Sequence, residues 1–170
     1  MPTILDGVST SETEGLRAVM AYADPTAPKL ATEFNAMSSV ALECLLVDRF
    51  NPDASVDKAQ LRRMCSAKVR ERSGQETRTI ADLIGVYDPQ DLSAPVSKAY
   101  VTLAKGATFF LTDVRGIHLD GPALVAGDLS TIYKVQVDYR IEIQGADNDE
   151  YQFKAGVSVL EWWENVAFVA

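Results

Sequence analysis

Polar and apolar side chains alternate without a break from Tyr133 to Gln144. The apolar positions are Tyr133, Val135, Val137, Tyr139, Ile141 and Ile143, and polar residues fill the positions between them. A period of two places successive side chains on opposite faces of a β-strand. The pattern therefore predicts a strand of about 12–14 residues, spanning about 40–45 Å, whose apolar face is buried in a core. A second alternation over Tyr151–Val159 follows a polar turn and completes a predicted hairpin.

Three shorter strands and one helix are predicted in the remainder of the chain. Apolar runs bounded by turn-forming residues indicate strands, and these runs are Val40–Val47, Thr77–Tyr87 and Phe109–Val114. Pro95 is suited to a helix start and Gly106 to a helix end, so Val96–Lys105 is predicted to be helical. Strands in this proportion, with one or two helices, predict a mainly β protein of the α+β class.

Residues 1–35 are predicted to form an extended N-terminal arm with one short helix. The stretch Ser11–Glu14 fits a capping box, and Leu16, Val19 and Met20 follow at helical spacing. Residues 36–170 are predicted to form a single domain. The polar stretch at about 53–75 is interpreted as a long loop of that domain.

The composition is that of a globular domain with an acidic surface. The chain has 170 residues, 47% of them hydrophobic, and a formal net charge of −8. A protein that grips nucleic acid needs a positive surface, so this charge argues against DNA binding. The sequence lacks an apolar run of roughly 18 residues and a recognisable signal peptide. Cys44 and Cys65 lack metal-site spacing, and we expect two free thiols.

The sequence gives only weak support for catalytic, cofactor-binding or metal-binding residues. The single histidine, His118, lies in a glycine-rich stretch without a partner motif for catalysis. The acidic run 147–150 lacks EF-hand spacing and is typical of a hairpin turn. The adjacent Trp162 and Trp163 are expected on opposite sides of a sheet edge, and an interface is the preferred use for them. We therefore expect neither an enzyme nor a cofactor.

The predicted loop concentrates positive charge. Between residues 58 and 72, Glu71 is the only acidic residue, and the basic residues are Lys58, Arg62, Arg63, Lys68, Arg70 and Arg72. The rest of the chain then has ten basic and 23 acidic side chains, out of totals of 16 and 24. Opposite charges at two ends of one subunit favour head-to-tail stacking of identical copies. A loop that is merely solvated is the alternative.

Several segments, in their order along the chain, resemble the major tail tube proteins of long-tailed bacteriophages (siphoviruses), especially those that infect actinobacteria. The segments are CLLVDRFNPD (44–53), RRMCS (62–66), TIADLIGVYDPQ (79–90), SKAYVTLAKGATFFL (97–111), VAGDLSTIYKVQVD (125–138) and VAFVA (166–170). The resemblance implies a β-sandwich or partial barrel with one flanking helix. It also implies that six subunits close a ring by β-pairing, that rings stack into a hollow tail, and that the N-terminal arm and the long loop bridge rings. Stretches 69–77 and 138–153 depart from the family pattern.

We therefore predict a structural protein of the virion tail that is assembled in the host cytoplasm. It forms a tube whose lumen passes DNA without binding it specifically. The candidate lumen-facing residues are Lys134, Gln136, Asp138, Arg140, Glu142, Gln152 and Lys154, and the basic residues of 58–72 are the candidate contacts between rings. The expected partners are other copies of the chain, a tape-measure protein and a tail terminator, with no membrane involved. A terminator or adaptor ring is the alternative function, and a monomeric ligand-binding β-sandwich is a further one.

Overall fold

The computed structural model describes residues 14–61, 70–116, 124–143 and 150–170. Strands account for 54% of the described residues and helices for 10%. The strands are β1 (Glu14–Val19), β2 (Val40–Ala41), β3 (Pro52–Leu61), β4 (Arg70–Ile80), β5 (Leu83–Val86), β6 (Thr108–Arg115), β7 (Leu129–Ile143) and β8 (Gln152–Ala167). The α-helix α1 is Lys98–Thr102, preceded by a 3-10 turn at Pro95–Ser97, and a π-helical turn covers Leu30–Phe34.

Six of the strands form one curled antiparallel sheet in the order β2-β1-β6-β7-β8-β5, and β3 pairs only with β4. The predicted mainly β fold with one short helix is confirmed. The long hairpin is confirmed too, with 15 residues in β7 and 16 in β8. None of the helices in the described ranges is long and apolar enough to cross a membrane.

The main core lies on one face of this sheet, and α1 and the segment after β2 cover it. Its fully buried side chains include Leu42, Leu103, Phe109, Leu111, Val135 and Phe153. Gly106, in a left-handed conformation with φ of 82°, follows α1 and lets the chain turn into β6. The predicted helix is therefore present, although it is shorter than Val96–Lys105.

A second core lies on the opposite face, at the end of the sheet where β7 begins. Phe168 is buried there against Phe34, with ring centroids 4.9 Å apart. The C-terminal segment is held by the backbone, because Leu30 N–H donates to the Val169 carbonyl and Val169 N–H donates to the Pro28 carbonyl, both at 3.0 Å. These contacts fix the last residues of the chain against the sheet.

Tyr22 closes the second core beside β6. Its hydroxyl lies 2.7 Å from the Thr112 hydroxyl, and both side chains are buried. Burial raises the pKa of Tyr22 to about 12, since the phenolate would lose its hydration there. The pair thus satisfies two hydroxyl groups that would otherwise be costly to bury.

The helix predicted near residues 14–20 is wrong, because Glu14–Val19 forms strand β1 inside the sheet. Leu16 and Ala18 pack into the main core while Val19 packs into the second, so the segment is buried on both faces. Two other predicted strands are too long. The predicted strand Val40–Val47 contains only Val40–Ala41 as a strand, which a turn follows. The predicted strand Thr77–Tyr87 divides between β4 and β5, with a break at residues 81–82.

The long loop predicted at 53–75 is also wrong over its described residues, which belong to β3 and β4. Its sequence carries no alternation, because residues 53–60 and 71–77 are exposed on both faces of the hairpin. Some sequence predictions fall outside the described residues: the start of the capping box (11–13), Arg62, Arg63, Cys65, Lys68, His118 and most of the acidic run (147–149). Cys44 is an exposed free thiol.

Candidate functional site: the outer face of the sheet and the β3–β4 hairpin

A β-bulge at Asp138 reverses the direction of the side chains along β7. Val137 pairs with Val157, but Tyr139 pairs with Gly156, so Asp138 has no counterpart on β8. Before the bulge, odd-numbered residues face the main core, and Val137 is 1% exposed. After it, Tyr139 is 38% exposed and Ile141 is 52% exposed. The prediction of one continuous apolar core face is therefore wrong beyond Val137.

Arg140 and Glu142 lie on the core side as a result. They pair with Ala155 and Phe153, which are both fully buried. Arg140 donates a 2.5 Å hydrogen bond to the Tyr100 carbonyl, and its guanidinium carbon lies 3.7 Å from the centre of the Tyr100 ring. The Tyr100 hydroxyl donates to Glu142 at 3.0 Å. These two candidate lumen residues therefore hold α1 against the end of the sheet.

The other candidates remain on the opposite face, here called the outer face. A polar band crosses its middle and consists of Lys134, Gln136, Asp138, Ser158 and Glu161. Lys134 and Glu161 form an ion pair at 3.4 Å, and the Ser158 hydroxyl donates to Asp138 at 2.7 Å. Gln136 is exposed between them and pairs with both Thr108 and Ser158. The band thus contains neutral polar groups, two carboxylates and a single amine.

An apolar patch adjoins the polar band on the outer face, toward the end of the hairpin. It consists of Ile84, Tyr139, Ile141 and Ile143, which the register of β5, β7 and β8 places together. The Tyr139 ring lies over Gly156 so closely that a Cβ added there would overlap it. The described residues leave Tyr139 and Ile141 exposed.

Gln152 and Lys154, two further candidates, border this apolar patch. Lys154 forms an ion pair with Asp82 at 2.7 Å. A hydrogen bond from Lys154 lowers the pKa of Asp82, and the same bond raises the pKa of Lys154. Because both groups are at the surface, the pair serves to orient the two side chains more than to stabilise the fold.

The β3–β4 hairpin, here called the projecting hairpin, is exposed on both faces at residues 53–60 and 71–77, and only its base is buried. It contacts the rest of the described chain mainly where β4 meets β8. Lys58 forms an ion pair with Glu71 at 3.6 Å, and Arg72 lies opposite Ala59 in the register. Arg70 pairs with Leu61 through the backbone. An isolated two-stranded hairpin is marginally stable in water, so this one is suited to docking on a partner.

The base of the projecting hairpin is formed by Arg78. Its guanidinium contacts Glu76 of the same strand and Glu164 of β8, and it lies 5.7 Å from the Trp162 ring. Trp162 packs toward the main core and Trp163 toward the second core. The two tryptophans therefore lie on opposite sides of the sheet as predicted, and both are half-buried in their own subunit.

A cavity of about 160 Å³ lies between the segment after β2 and β6, lined in part by Leu16, Glu43, Phe50 and Asp113. It is smaller than the roughly 300–1,000 Å³ typical of small-molecule sites. Within the ranges that the structure describes, no group of three or more histidine, cysteine, aspartate or glutamate residues could hold a metal ion.

Sequence reasoning missed Ser158, Glu161 and Arg78 as functional candidates. Ser158 was assigned to a polar face, but its position beside Asp138 depends on the bulge. Glu161 precedes Trp162 and follows an irregularity in the β7–β8 register between Val159 and Glu161. Nothing in the local pattern therefore indicates on which face of the sheet Glu161 lies. Arg78 lies within the predicted strand Thr77–Tyr87, and its position there gives no indication of a function.

Comparison with known proteins gives a family for the whole chain. No curated protein matches it. The family model described as phage tail tube protein matches residues 1–170. With a mainly β fold of the kind expected for that family and a match over its full length, the chain belongs to the phage tail tube proteins.

Proposed function

We propose that this protein forms the tail tube of a long-tailed phage as stacked hexameric rings, and that the tube conducts DNA during ejection. The family establishes the coarser statement: a structural component of the virion tail that self-assembles into a tube. The observation that carries the finer proposal is the outer face of the sheet. It places a polar band and an exposed apolar patch side by side on one surface.

The polar band is the proposed lining of the bore. A duplex sliding through a tube must meet side chains that do not hold its phosphates, and a positive surface would retain it. Lys134, the one amine of the band, is already paired with Glu161. Gln136, Asp138, Gln152 and Lys154 remain proposed lumen or lumen-edge residues, and Arg140 and Glu142 are left out of the proposal because both contact Tyr100 of α1.

The apolar patch and the edge of β8 are the proposed contacts within a ring. Along β8, strand β5 covers only Gln152–Ala155, so the following residues have no second strand partner among the described residues. An open edge of this kind accepts another strand. The apolar patch lies next to that edge, and burying Tyr139 and Ile141 there would add hydrophobic stabilisation.

The projecting hairpin is the proposed contact between rings. The basic residues between 58 and 72 lie in this hairpin or in the segment that joins its strands, while the rest of the chain is acidic. Stacking would place this positive segment against an acidic surface of the next ring. The strength of such a contact would fall with salt.

A tail terminator or adaptor ring is the second candidate, because one closed hexamer would use the same contacts within a ring. As a tube subunit, the protein would also meet a terminator at the end of the tube and a tape-measure protein in its bore. Assembly would take place in the host cytoplasm.

Sedimentation of the purified protein over a range of concentrations distinguishes these functions. A tube subunit gives particles whose size grows with concentration, together with hollow tubes in negative-stain images. Growth that stops at one hexameric ring would indicate the terminator, and a monomer at every concentration would contradict both.

A further inference from the structure

Arg78 links the projecting hairpin to the body of the subunit. Its Nη2 lies 2.6 Å from Glu76 Oε1 and 2.5 Å from Glu164 Oε1. The side chain is 19% exposed, and its Nε is buried without a hydrogen-bond partner. One guanidinium therefore joins a carboxylate of the hairpin to a carboxylate of the sheet.

Strand β8 holds Glu164 in place through a bulge. Ser130 pairs with Val166 and Ile132 pairs with Trp163, so Glu164 and Asn165 together lie opposite a single residue of β7. Asn165 has a positive φ of 54°, a conformation that asparagine tolerates better than most residues. The bulge thus presents Glu164 to Arg78 from a strand that pairs with β7 on both sides of the bulge.

Apart from Ile80, which packs into the main core at the end of β4, few contacts fix the direction of the projecting hairpin. The side chains of residues 53–60 and 71–77 are exposed on both faces, and α1 makes no sizeable contact with the hairpin. Chain connections alone leave a two-stranded ribbon free to swing about its base. A planar guanidinium whose Nη2 contacts two carboxylates restricts such a swing more than a lysine could, because its donors have fixed directions.

We propose that Arg78 is a positioning residue that sets the direction in which the projecting hairpin leaves the subunit, and that this direction fits the hairpin to a second copy of the chain in the next ring. The inference rests on the proposed function for its second part only. The first part concerns the isolated subunit.

Spin-label distances in the unassembled subunit test the first part. One label is placed on the exposed Cys44 and the other on Gln60→Cys in the hairpin, with Cys65→Ser removing the remaining thiol. We expect one narrow distance distribution with Arg78, a distribution at least twice as broad with Arg78→Ala, and partial restoration with Arg78→Lys. If Arg78→Ala does not fold, Glu164→Gln provides the same comparison. A narrow, unshifted distribution in these variants would overturn the proposal.

The critical concentration for tube formation tests the second part. We expect Arg78→Ala to raise it about tenfold, while Lys98→Ala, which removes an exposed cation of α1 outside the hairpin, changes it less than threefold. Equal critical concentrations for Arg78→Ala and the unmodified protein would overturn this part. If the unmodified protein forms no tubes, the proposed function fails, and the distances still decide whether Arg78 positions the hairpin.

Discussion

Replacement of residues 56–76 by an Asn-Gly turn is expected to give a folded subunit that no longer forms tubes. Ser55 lies opposite Thr77 in the register, so a two-residue turn can close the shortened hairpin there. The removed residues with described side chains are exposed, and their loss should change the free energy of unfolding by less than about 1 kcal/mol. The Arg78–Glu164 contact is retained.

Urea unfolding and negative-stain microscopy of the shortened protein measure the two effects separately. A matched pair of full-length variants then separates charge from shape. Arg62→Glu with Arg63→Glu should slow stacking and make it less sensitive to salt, whereas Arg62→Lys with Arg63→Lys should assemble nearly as the unmodified protein does. Tubes of normal length from the shortened protein would mean that the hairpin is simply solvated.

Ile141→Glu is expected to abolish assembly while the subunit stays folded. The side chain is half-exposed on the apolar patch, so a carboxylate is tolerated in the monomer at a cost of about 0.5 kcal/mol or less. In a ring the same carboxylate would be buried against a neighbouring copy without a partner, which costs several kcal/mol at each contact. Six such contacts would prevent ring closure.

Val101→Glu is the control for this substitution. Val101 is 54% exposed, much like Ile141, but it lies on α1 and away from the outer face. Size-exclusion chromatography should show a monomer for Ile141→Glu and assembled material for Val101→Glu. Assembly of Ile141→Glu would exclude the apolar patch as a ring contact, and loss of assembly in both variants would mean that the effect is not specific to the patch.

The parts of the fold that the sequence predicts are those with one clearly buried face. Periodicity alone locates the β7–β8 hairpin, and Phe109–Val114 lies within β6 as expected. The α1 region is predicted from the positions of Pro95 and Gly106. In each case local preference and tertiary burial agree.

The predictions that are wrong concern elements in which local preference and tertiary burial disagree. Leu16, Val19 and Met20 have helical spacing, but Glu14–Val19 is buried between two cores as a central strand, and tertiary contacts outweigh the propensity. The projecting hairpin is exposed on both faces at residues 53–60 and 71–77, and over these residues its sequence carries no alternation that would indicate a strand. Such a sequence is suited to contacts that form in an assembly and are absent from the single subunit.

The sequence predicts only part of the candidate site, because one inserted residue, Asp138, reverses the two faces of β7. Lys134, Gln136 and Asp138 lie on the polar outer face as the alternation indicates. The bulge at Asp138 then exchanges the two faces, which carries Arg140 and Glu142 to α1 and exposes Ile141. A two-residue period gives no sign of an inserted residue, since the pattern continues across it unchanged.

Cryo-electron microscopy of tubes assembled from the purified protein is the most direct measurement of the central claim. We expect a hollow tube whose bore is lined by Lys134, Gln136, Asp138 and Ser158, with Ile141 at the contact between neighbouring subunits and the projecting hairpin reaching the next ring. A tube whose bore is lined by another face of the sheet, or a protein that stops at closed rings, would contradict it.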